Sequence, residues 1–387
     1  MSDLKFRISN IALLLIAVLL SLGVHSQTPR ALFRAAGAPI RVGERPGDIA
    51  VADVNADSHL DLLTANTGSN TISVLLGDGR GGFRSAPGSP LVGGPVTHLV
   101  AAGDVNGDRK LDLAVTCHDS NDVIIYLGDG RGGFTSAPGS PFALLRGTQP
   151  HNHGLALADV DGDAHLDILT SNQNHHSVSA LLGDGRGGFA PAPGSPFAVG
   201  RAPYPLAVGD VNGDGHPDVV TPNVGSNNVT VLLGDGRGGF APAAGSPIAV
   251  ATRPYHAALG DLNGDRKLDL AVAHDDITLI TVLFGDGRGG FRPAPGSPVD
   301  AGARGGEVVL ADVNGDARLD LITGTNADTV VVLLGDGAGG FRPAPGSPYA
   351  AGHGPWGVAV ADINGDGKPD ILTANFDDNS VKIFLGN

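Results

Sequence analysis

The sequence predicts an all-β protein, a seven-bladed β-propeller with four-stranded blades. Three observations predict this fold. The pattern D-x-(N/D)-x-D-x-x-x-D occurs seven times, at spacings of 50 to 55 residues. Each repeat holds four short segments rich in Val, Ile, Leu and Thr between Gly, Asn and Asp, and none has the length and period of a helix. The two ends of the chain are also complementary in pattern.

The four segments can be read in order in the last full repeat. Residues 356–361 alternate in polarity toward the Asp loop, residues 370–374 follow the loop, and residues 381–385 form a third apolar stretch. The fourth segment begins at the Phe of the tract G-D-G-x-G-G-F, as at Phe341, and continues through A-P-G-S-P. A unit of about 50 residues with four strands matches one propeller blade.

The chain ends predict closure of the ring. Residues 33–39, F-R-A-A-G-A-P, resemble the fourth segment that starts at Phe341, whereas the chain stops at Asn387, where a fourth strand is due. We therefore expect residues 33–42 to complete blade 7, which removes the exposed strand edges of an open array. Residues 27–387 are then a single propeller domain, which we expect to be a monomer.

The first 26 residues have the pattern of a signal peptide. Lys5 and Arg7 precede an apolar run over residues 11–22, and small residues precede Gln27. We expect cleavage here and a secreted, extracellular or periplasmic, mature protein with no membrane span. Cys117 is the only cysteine, so internal disulfides are excluded and a small buried role is expected for it.

The seven Asp loops predict calcium sites. Side-chain oxygens at loop positions 1, 3, 5 and 9, with the carbonyl at position 7, can converge on a hard cation that takes six to eight oxygen ligands. The loops lack the Glu at position 12 and the flanking helices of an EF-hand, and Ala56 replaces the Gly that the other six loops have at position 4. The expected ligands, one loop after another, are Asp53, Asn55, Asp57 and Asp61; Asp104, Asn106, Asp108 and Asp112; Asp159, Asp161, Asp163 and Asp167; Asp210, Asn212, Asp214 and Asp218; Asp261, Asn263, Asp265 and Asp269; Asp312, Asn314, Asp316 and Asp320; Asp362, Asn364, Asp366 and Asp370.

Net charge supports up to seven Ca²⁺ ions. The formal charge is −15, and removal of the first 26 residues, which carry Lys5 and Arg7 against Asp3, makes it −16. Seven divalent ions would add +14 and leave −2. An acidic chain with its few basic residues dispersed does not suit nucleic acid.

The repeated Asp loop followed by L-G-D-G-x-G-G-F and A-P-G-S-P resembles the FG-GAP or VCBS repeat family, which includes the propeller of integrin α subunits and certain calcium-containing fungal lectins. The resemblance covers the chain from Phe33 onward. It implies that each Asp loop joins the first two strands of a blade and binds calcium.

The tract beginning at Gly77 also fits the dinucleotide pattern G-x-G-x-x-G. Every copy leads into a strand rather than a helix, so we interpret these glycines as turn residues.

Residues that differ between repeats fall in the loops opposite the Asp loops, where we expect the ligand site. The candidate ligand-binding residues are His151, His153, Tyr204, Tyr255, His256 and Trp356. Aromatic rings and hydrogen-bonding side chains suit a binding or adhesion module for a glycan or an extracellular protein. An alternative is an enzyme acting on polysaccharide, a lyase or hydrolase, with acid and base among His151, His153, Tyr255 and His256. A transition-metal site formed by His151, His153, His175 and His176 is a further alternative.

Overall fold

The computed structural model describes residues 30–145 and 151–387. The predicted signal peptide lies outside these residues. The compact unit spans residues 31–387. One short 3-10 helix is described, Gln173–His175, and no described helix has the length and hydropathy needed to cross a membrane.

The rest of the regular structure is β-strand. The strands of the first half are β1 (Phe33–Ala35), β2 (Ile40–Arg41), β3 (Pro46–Ala52), β4 (Asp61–Asn66), β5 (Thr71–Gly77), β6 (Phe83–Ser85), β7 (Leu91–Val92), β8 (Thr97–Gly103), β9 (Asp112–Cys117), β10 (Asp122–Gly128), β11 (Phe134–Ser136), β12 (Phe142–Ala143), β13 (Ala156–Ala158), β14 (Asp167–Asn172), β15 (Ser177–Gly183), β16 (Phe189–Pro191) and β17 (Phe197–Ala198). The strands of the second half are β18 (Ala207–Gly209), β19 (Asp218–Asn223), β20 (Asn228–Gly234), β21 (Phe240–Pro242), β22 (Ile248–Ala249), β23 (Pro254–Gly260), β24 (Asp269–His274), β25 (Leu279–Gly285), β26 (Phe291–Pro293), β27 (Val299–Asp300), β28 (Gly305–Ala311), β29 (Asp320–Thr325), β30 (Thr329–Gly335), β31 (Phe341–Pro343), β32 (Tyr349–Ala350), β33 (Pro355–Ala361), β34 (Asp370–Asn375) and β35 (Ser380–Gly386).

These strands form seven antiparallel sheets, the blades of the predicted propeller. Blade 1 has the order β3-β4-β5-β6, and blades 2 to 6 repeat it from the inner strands β8, β13, β18, β23 and β28. The inner strands β13 and β18 have only three residues each, whereas the inner strands of the other blades have seven. The fold class predicted from the sequence is confirmed.

The fourth strand of each blade is broken, a detail that the sequence reading missed. In blade 1, β6 and β7 both pair with β5, and the tract A-P-G-S-P separates them. At the break the Val74 N–H donates to Ser89 Oγ at 2.9 Å, so the serine hydroxyl replaces a strand carbonyl. The same bond recurs at the serines equivalent to Ser89 in blades 2 to 6.

Blade 7 is completed by the other end of the chain. β33, β34 and β35 are followed in the sheet by β1, where Phe33 pairs with Gly386, and β2 pairs with β35 as well. Apolar side chains of each blade pack against the next blade, and the cluster that contains Ile49, Leu62 and Leu372 joins blade 7 to blade 1. The ring is thereby closed by the strand at residues 33–35, as predicted.

Candidate functional site

The Asp loops lie at the turn between the first two strands of each blade. The G-D-G tract forms the turn between the third and fourth strands on the same face. In blade 1 this neighbourhood is fixed by the Gly77 N–H, which donates to Asp61 Oδ1 at 2.9 Å. The predicted metal ligands and the G-D-G turns therefore share one face of the propeller.

Within a loop, the side-chain oxygens already organise the backbone. In the second loop Asp104 Oδ1 accepts the N–H of Gly107 at 2.8 Å, and Asp104 Oδ2 accepts that of Arg109 at 2.7 Å. Asn106 Oδ1 accepts the N–H of Asp108, whose own Oδ1 accepts that of Lys110. This network turns the oxygens of positions 1, 3 and 5 toward the inside of the loop.

The Asp at position 9 differs from the other three, because it is fully buried in every blade. The seven residues are Asp61, Asp112, Asp167, Asp218, Asp269, Asp320 and Asp370. Burial raises the pKa of each carboxyl, and two backbone N–H donors partly oppose that rise. Position 9 is therefore a structural anchor as well as a candidate ligand, a distinction that sequence reasoning did not make.

The oxygens of the third loop are close enough together to contact one calcium ion. In the third loop, one carboxylate oxygen from each of Asp159, Asp161 and Asp163 lies within 4.8 Å of those from the other two. Oxygens at about 2.3–2.6 Å from a common centre are separated by distances up to that size. All of the donors are oxygens, the set preferred by a hard cation. Residues of this loop could therefore hold Ca²⁺.

The first loop is the exception. Ala56 has φ +59°, a left-handed conformation that glycine adopts readily and alanine does not. In the other six loops the N–H at position 4 donates to the first Asp, as Gly107 does to Asp104. In the described part of the chain, the N–H of Ala56 makes no such bond to Asp53. The first loop is thus the least organised of the seven.

The opposite face is built from the starts of the inner strands. The residues six positions before each Asp loop surround the mouth of the central channel: Gly47, His98, His153, Tyr204, Tyr255, Gly306 and Trp356. One cavity of about 290 Å³ at this mouth is lined by residues from all seven blades. Alignment of the repeats on the first Asp of each loop reveals this set, in which only two members are glycine.

Aromatic rings form a continuous row along the mouth. His153 stacks on Tyr204 with ring centroids 4.1 Å apart, and Tyr204 lies 4.9 Å from Tyr255. Tyr255 and Phe376 are each 6.2 Å from Trp356, whose surface is 46% exposed. The structure therefore brings four of the six predicted ligand residues into one row.

A slot opens between Tyr255 and Trp356. Its volume is about 330 Å³, and the glycines 305, 306 and 324 leave it open. Gly306 of blade 6 stands where the neighbouring blades 5 and 7 carry the aromatic rings of Tyr255 and Trp356. The polar residues lining the slot are Asp275, Arg304, Thr325, Asn326, Asp328 and Asp377. Sequence reasoning missed Arg304, Asn326 and Asp328, which carry no unusual motif.

Two carboxyls and a histidine lie deeper in the channel. Asp48, His256 and Glu307 occupy equivalent positions in blades 1, 5 and 6, and each accepts a backbone N–H from the following blade: Val100, Val308 and Val358 respectively. Glu307 Oε1 lies 3.8 Å from His256 Nε2. Burial raises the pKa of Glu307, and the nearby Asp48 carboxylate raises it further. Burial also raises the pKa of Asp48 and lowers that of His256 to about 4.

The predicted cluster of His151, His153, His175 and His176 is wrong in part. His175 is exposed on the 3-10 helix, and His176 Nδ1 contacts the carbonyl of Gln173 at 2.9 Å, away from the channel. His118 takes their place, because its Nε2 lies 3.1 Å from Nε2 of His153. The predicted residue His151 belongs to this group, whereas His256 belongs with Glu307.

Comparison with known proteins supports the fold and the family. An FG-GAP-like repeat model matches residues 53–115, 104–170, 159–221, 261–323 and 312–373, which is more than half of the chain. No curated protein matches the chain.

Solved structures show the same fold at low sequence identity. BBS1N, from its complex with ARL6DN, has a TM-score of 0.62 at 11% identity, covering 92% of this chain and 98% of that one. Virginiamycin B lyase from Staphylococcus aureus has a TM-score of 0.59 at 13% identity, covering 91% and 99%. A lectin from Agrocybe aegerita that recognises non-reducing terminal N-acetylglucosamine has a TM-score of 0.53 at 18% identity, covering 88% and 86%. Because the repeat model matches more than half of the chain and the structure has seven blades, the chain belongs to the FG-GAP-like repeat family.

Proposed function

We propose that this protein is a secreted, calcium-stabilised module that binds a glycan in the slot between Tyr255 and Trp356. The observation that carries the proposal is the slot itself, whose lining includes the rings of Tyr255 and Trp356 together with carboxylates and an amide. An extracellular protein loop is the other partner class that such a slot can accept, and the experiment below separates the two.

The chemistry of the slot suits a sugar ring. A pyranose has C–H faces that pack on aromatic rings and hydroxyl edges that need hydrogen-bond acceptors and donors. Tyr255 and Trp356 supply the faces, while Asp275, Asp328 and Asn326 supply polar groups. Asp275 is held by two hydrogen bonds from the Arg253 guanidinium, at 2.6 and 2.5 Å, so its position is fixed before a ligand enters.

Solved structures of the same fold serve different functions. One is a lectin, one is seen in a protein complex and one is a lyase. At identities of 11 to 18% these likenesses concern the fold alone.

The binding test is a glycan array with calcium present, followed by calorimetry on the strongest glycan. We expect Trp356→Ala to weaken binding at least about tenfold, about 1.4 kcal/mol. Gly306→Leu should weaken it as well by filling the slot, because a Cβ at Gly306 has no neighbour closer than 3.6 Å and needs no positive φ. Val92→Ala, at an exposed side chain of β7, is the matched control. The proposal fails if no glycan binds, or if both slot variants bind as the parent does.

Calcium is tested separately. Bound calcium would neutralise the clustered carboxylates of the loops, so chelation should lower the melting temperature. One ion at a hundred times its Kd contributes about 2.7 kcal/mol. Asp163→Asn removes one carboxylate of the third loop and should weaken calcium binding at that site only. An unchanged melting temperature in chelator would exclude a stabilising role for calcium.

A second candidate function, polysaccharide cleavage, is favoured by one observation. The raised pKa of Glu307 keeps this carboxyl protonated at higher pH than a free glutamic acid, as a general acid requires, and His256 lies beside it. Turnover of a polysaccharide that Glu307→Gln abolishes would establish this activity, and turnover that persists in the variant would exclude this pair.

A further inference from the structure

A group of four histidines forms one wall of the channel mouth, away from the slot between Tyr255 and Trp356. His98 lies on β8, His118 directly follows β9, and His151 and His153 precede β13. The ring of His98 contacts those of His118 and His153 edge-on, with centroids 5.4 and 5.3 Å apart. Two blades therefore contribute to the group.

The backbone holds these loops together. The Asn152 N–H donates to the His118 carbonyl at 3.3 Å, which joins the two loops directly. The His153 N–H donates to the carbonyl of Ser171, and the Gln173 N–H donates to that of His151. The backbone that carries His118, His151 and His153 is thus held in place by hydrogen bonds.

Three of the rings point nitrogens at one another. The Nε2 atoms of His118 and His153 are 3.1 Å apart, and one nitrogen of each of His118, His151 and His153 lies within 4.8 Å of the other two. In a tetrahedral site with metal–nitrogen distances of about 2.0–2.1 Å, the nitrogens are about 3.3 Å apart. The nitrogens of His118 and His153 have nearly this spacing, whereas the rings of His118 and His151, with centroids 3.3 Å apart, would have to separate for both to bind the same ion.

Asp119 supports the same arrangement from outside. Its Oδ1 lies 3.1 Å from Nδ1 of His118 and 3.5 Å from Nδ1 of His151. A carboxylate that accepts the Nδ1 hydrogen leaves the Nε2 lone pair free for a metal and makes it more basic. Histidines that bind metals commonly donate their second ring N–H to a carboxylate in this way.

We propose that His118, His151 and His153 bind one transition-metal ion, with Zn²⁺ as the favoured ion, and that its remaining position opens into the channel. Three imidazole ligands with an open fourth position suit Zn²⁺, whereas the oxygen donors of the Asp loops suit Ca²⁺. His118 and His153 also line the 290 Å³ cavity, so a ligand in the channel reaches the open position. The two faces of the propeller then select different metals by donor chemistry.

The test is zinc titration of the full chain in excess calcium, which keeps the Asp loops occupied. We expect one Zn²⁺ per chain, and at least about a hundredfold weaker binding by His118→Ala. Asp119→Asn should weaken binding by about 10- to 100-fold. His175→Ala, at an exposed histidine outside the group, should bind as the parent does.

Two further measurements make the result independent of folding. The melting temperature without zinc should be similar in the parent and in His118→Gln, while zinc should raise it only in the parent. Co²⁺ in place of zinc should give visible absorption bands of a low-coordinate nitrogen site, absent in His118→Gln. Failure of the parent to bind zinc in excess calcium, or binding by either His118 variant as tight as that of the parent, would overturn the proposal.

Discussion

The buried carboxylate of Asp269 joins the two turns of blade 5, because its Oδ1 accepts the Gly285 N–H at 2.8 Å. Its Oδ2 accepts the Leu262 N–H at 2.9 Å. Equivalent pairs occur in all seven blades. The last Asp of each loop therefore stabilises the blade whether or not an ion is bound.

Asp269→Asn should destabilise the protein by about 2 kcal/mol even in chelator. The amide replaces one acceptor oxygen with an NH₂ group, which leaves a buried N–H without its acceptor. Denaturant unfolding measures the loss. Asp265→Asn is the control, because the Oδ1 of this exposed side chain can still accept the Lys267 N–H. Equal stability of the two variants in chelator would contradict the anchoring role.

Ala56→Gly should stabilise blade 1 by about 1 kcal/mol. Ala56 holds φ at +59°, and glycine adopts that conformation without the steric cost of a Cβ. Thermal unfolding with and without calcium should show the gain, and the calcium affinity of the first loop should rise. Gly107→Ala, the reverse substitution at the same loop position with φ +76°, should lower the stability of blade 2. A destabilised Ala56→Gly variant would show that the left-handed position is not strained.

Glu307 should contribute a loss of stability as pH rises, and Glu307→Gln should remove that contribution. The pKa of Glu307 is raised in the folded protein, so its contribution is fully present below the ordinary carboxyl pKa of about 4.3 and is lost as pH rises through the raised value. Glutamine carries no charge and can keep the hydrogen bond from Val358. The measurement is urea unfolding between about pH 4, near the ordinary carboxyl pKa, and pH values above the raised pKa of Glu307, about 8. Glu44→Gln, at an exposed site, is the control. Parallel pH profiles for parent and Glu307→Gln would refute the assignment.

Phe33→Ala should cost about 3–4 kcal/mol. Phe33 is only 2% exposed and packs edge-on against Tyr349, with ring centroids 5.6 Å apart. Phe341→Ala is the matched control, because Phe341 holds the same place in blade 6 but is less buried and does not close the ring. Calorimetry should show the larger loss at Phe33, and light scattering should show association through the exposed edge of β35. A larger loss at Phe341 would contradict the importance of the closing strand.

The scaffold was predictable because each of its features is repeated. Seven copies of the Asp pattern fixed the number of blades, and the likeness of residues 33–39 to the segment at Phe341 fixed the closing strand. The break in the outer strand was not predictable, since it depends on a serine hydroxyl that replaces a backbone acceptor, as Ser89 does.

The slot was harder to predict because three blades contribute to it. Tyr255 and Trp356 were recognisable as aromatic exceptions, but the space between them exists because blade 6 has Gly306 there, and a missing side chain gives no positive signal. His118 and His151 are 33 residues apart in the sequence, and the packing of blade 2 against blade 3 brings their imidazole centroids to 3.3 Å.

The joints between blades are unequal. Side chains at Asp48, His256 and Glu307 fasten blades 1, 5 and 6 to their successors, whereas the equivalent residues of blades 2, 3, 4 and 7 are Leu99, Gly154, Pro205 and Gly357, which have no acceptor side chain. Blades 3 and 4 also have the shortest inner strands. The joints that blades 3 and 4 make with their successors should therefore open first under heat or force, and an ion bound by His118 and His153 would hold blade 3 to blade 2 at one end of this weaker arc.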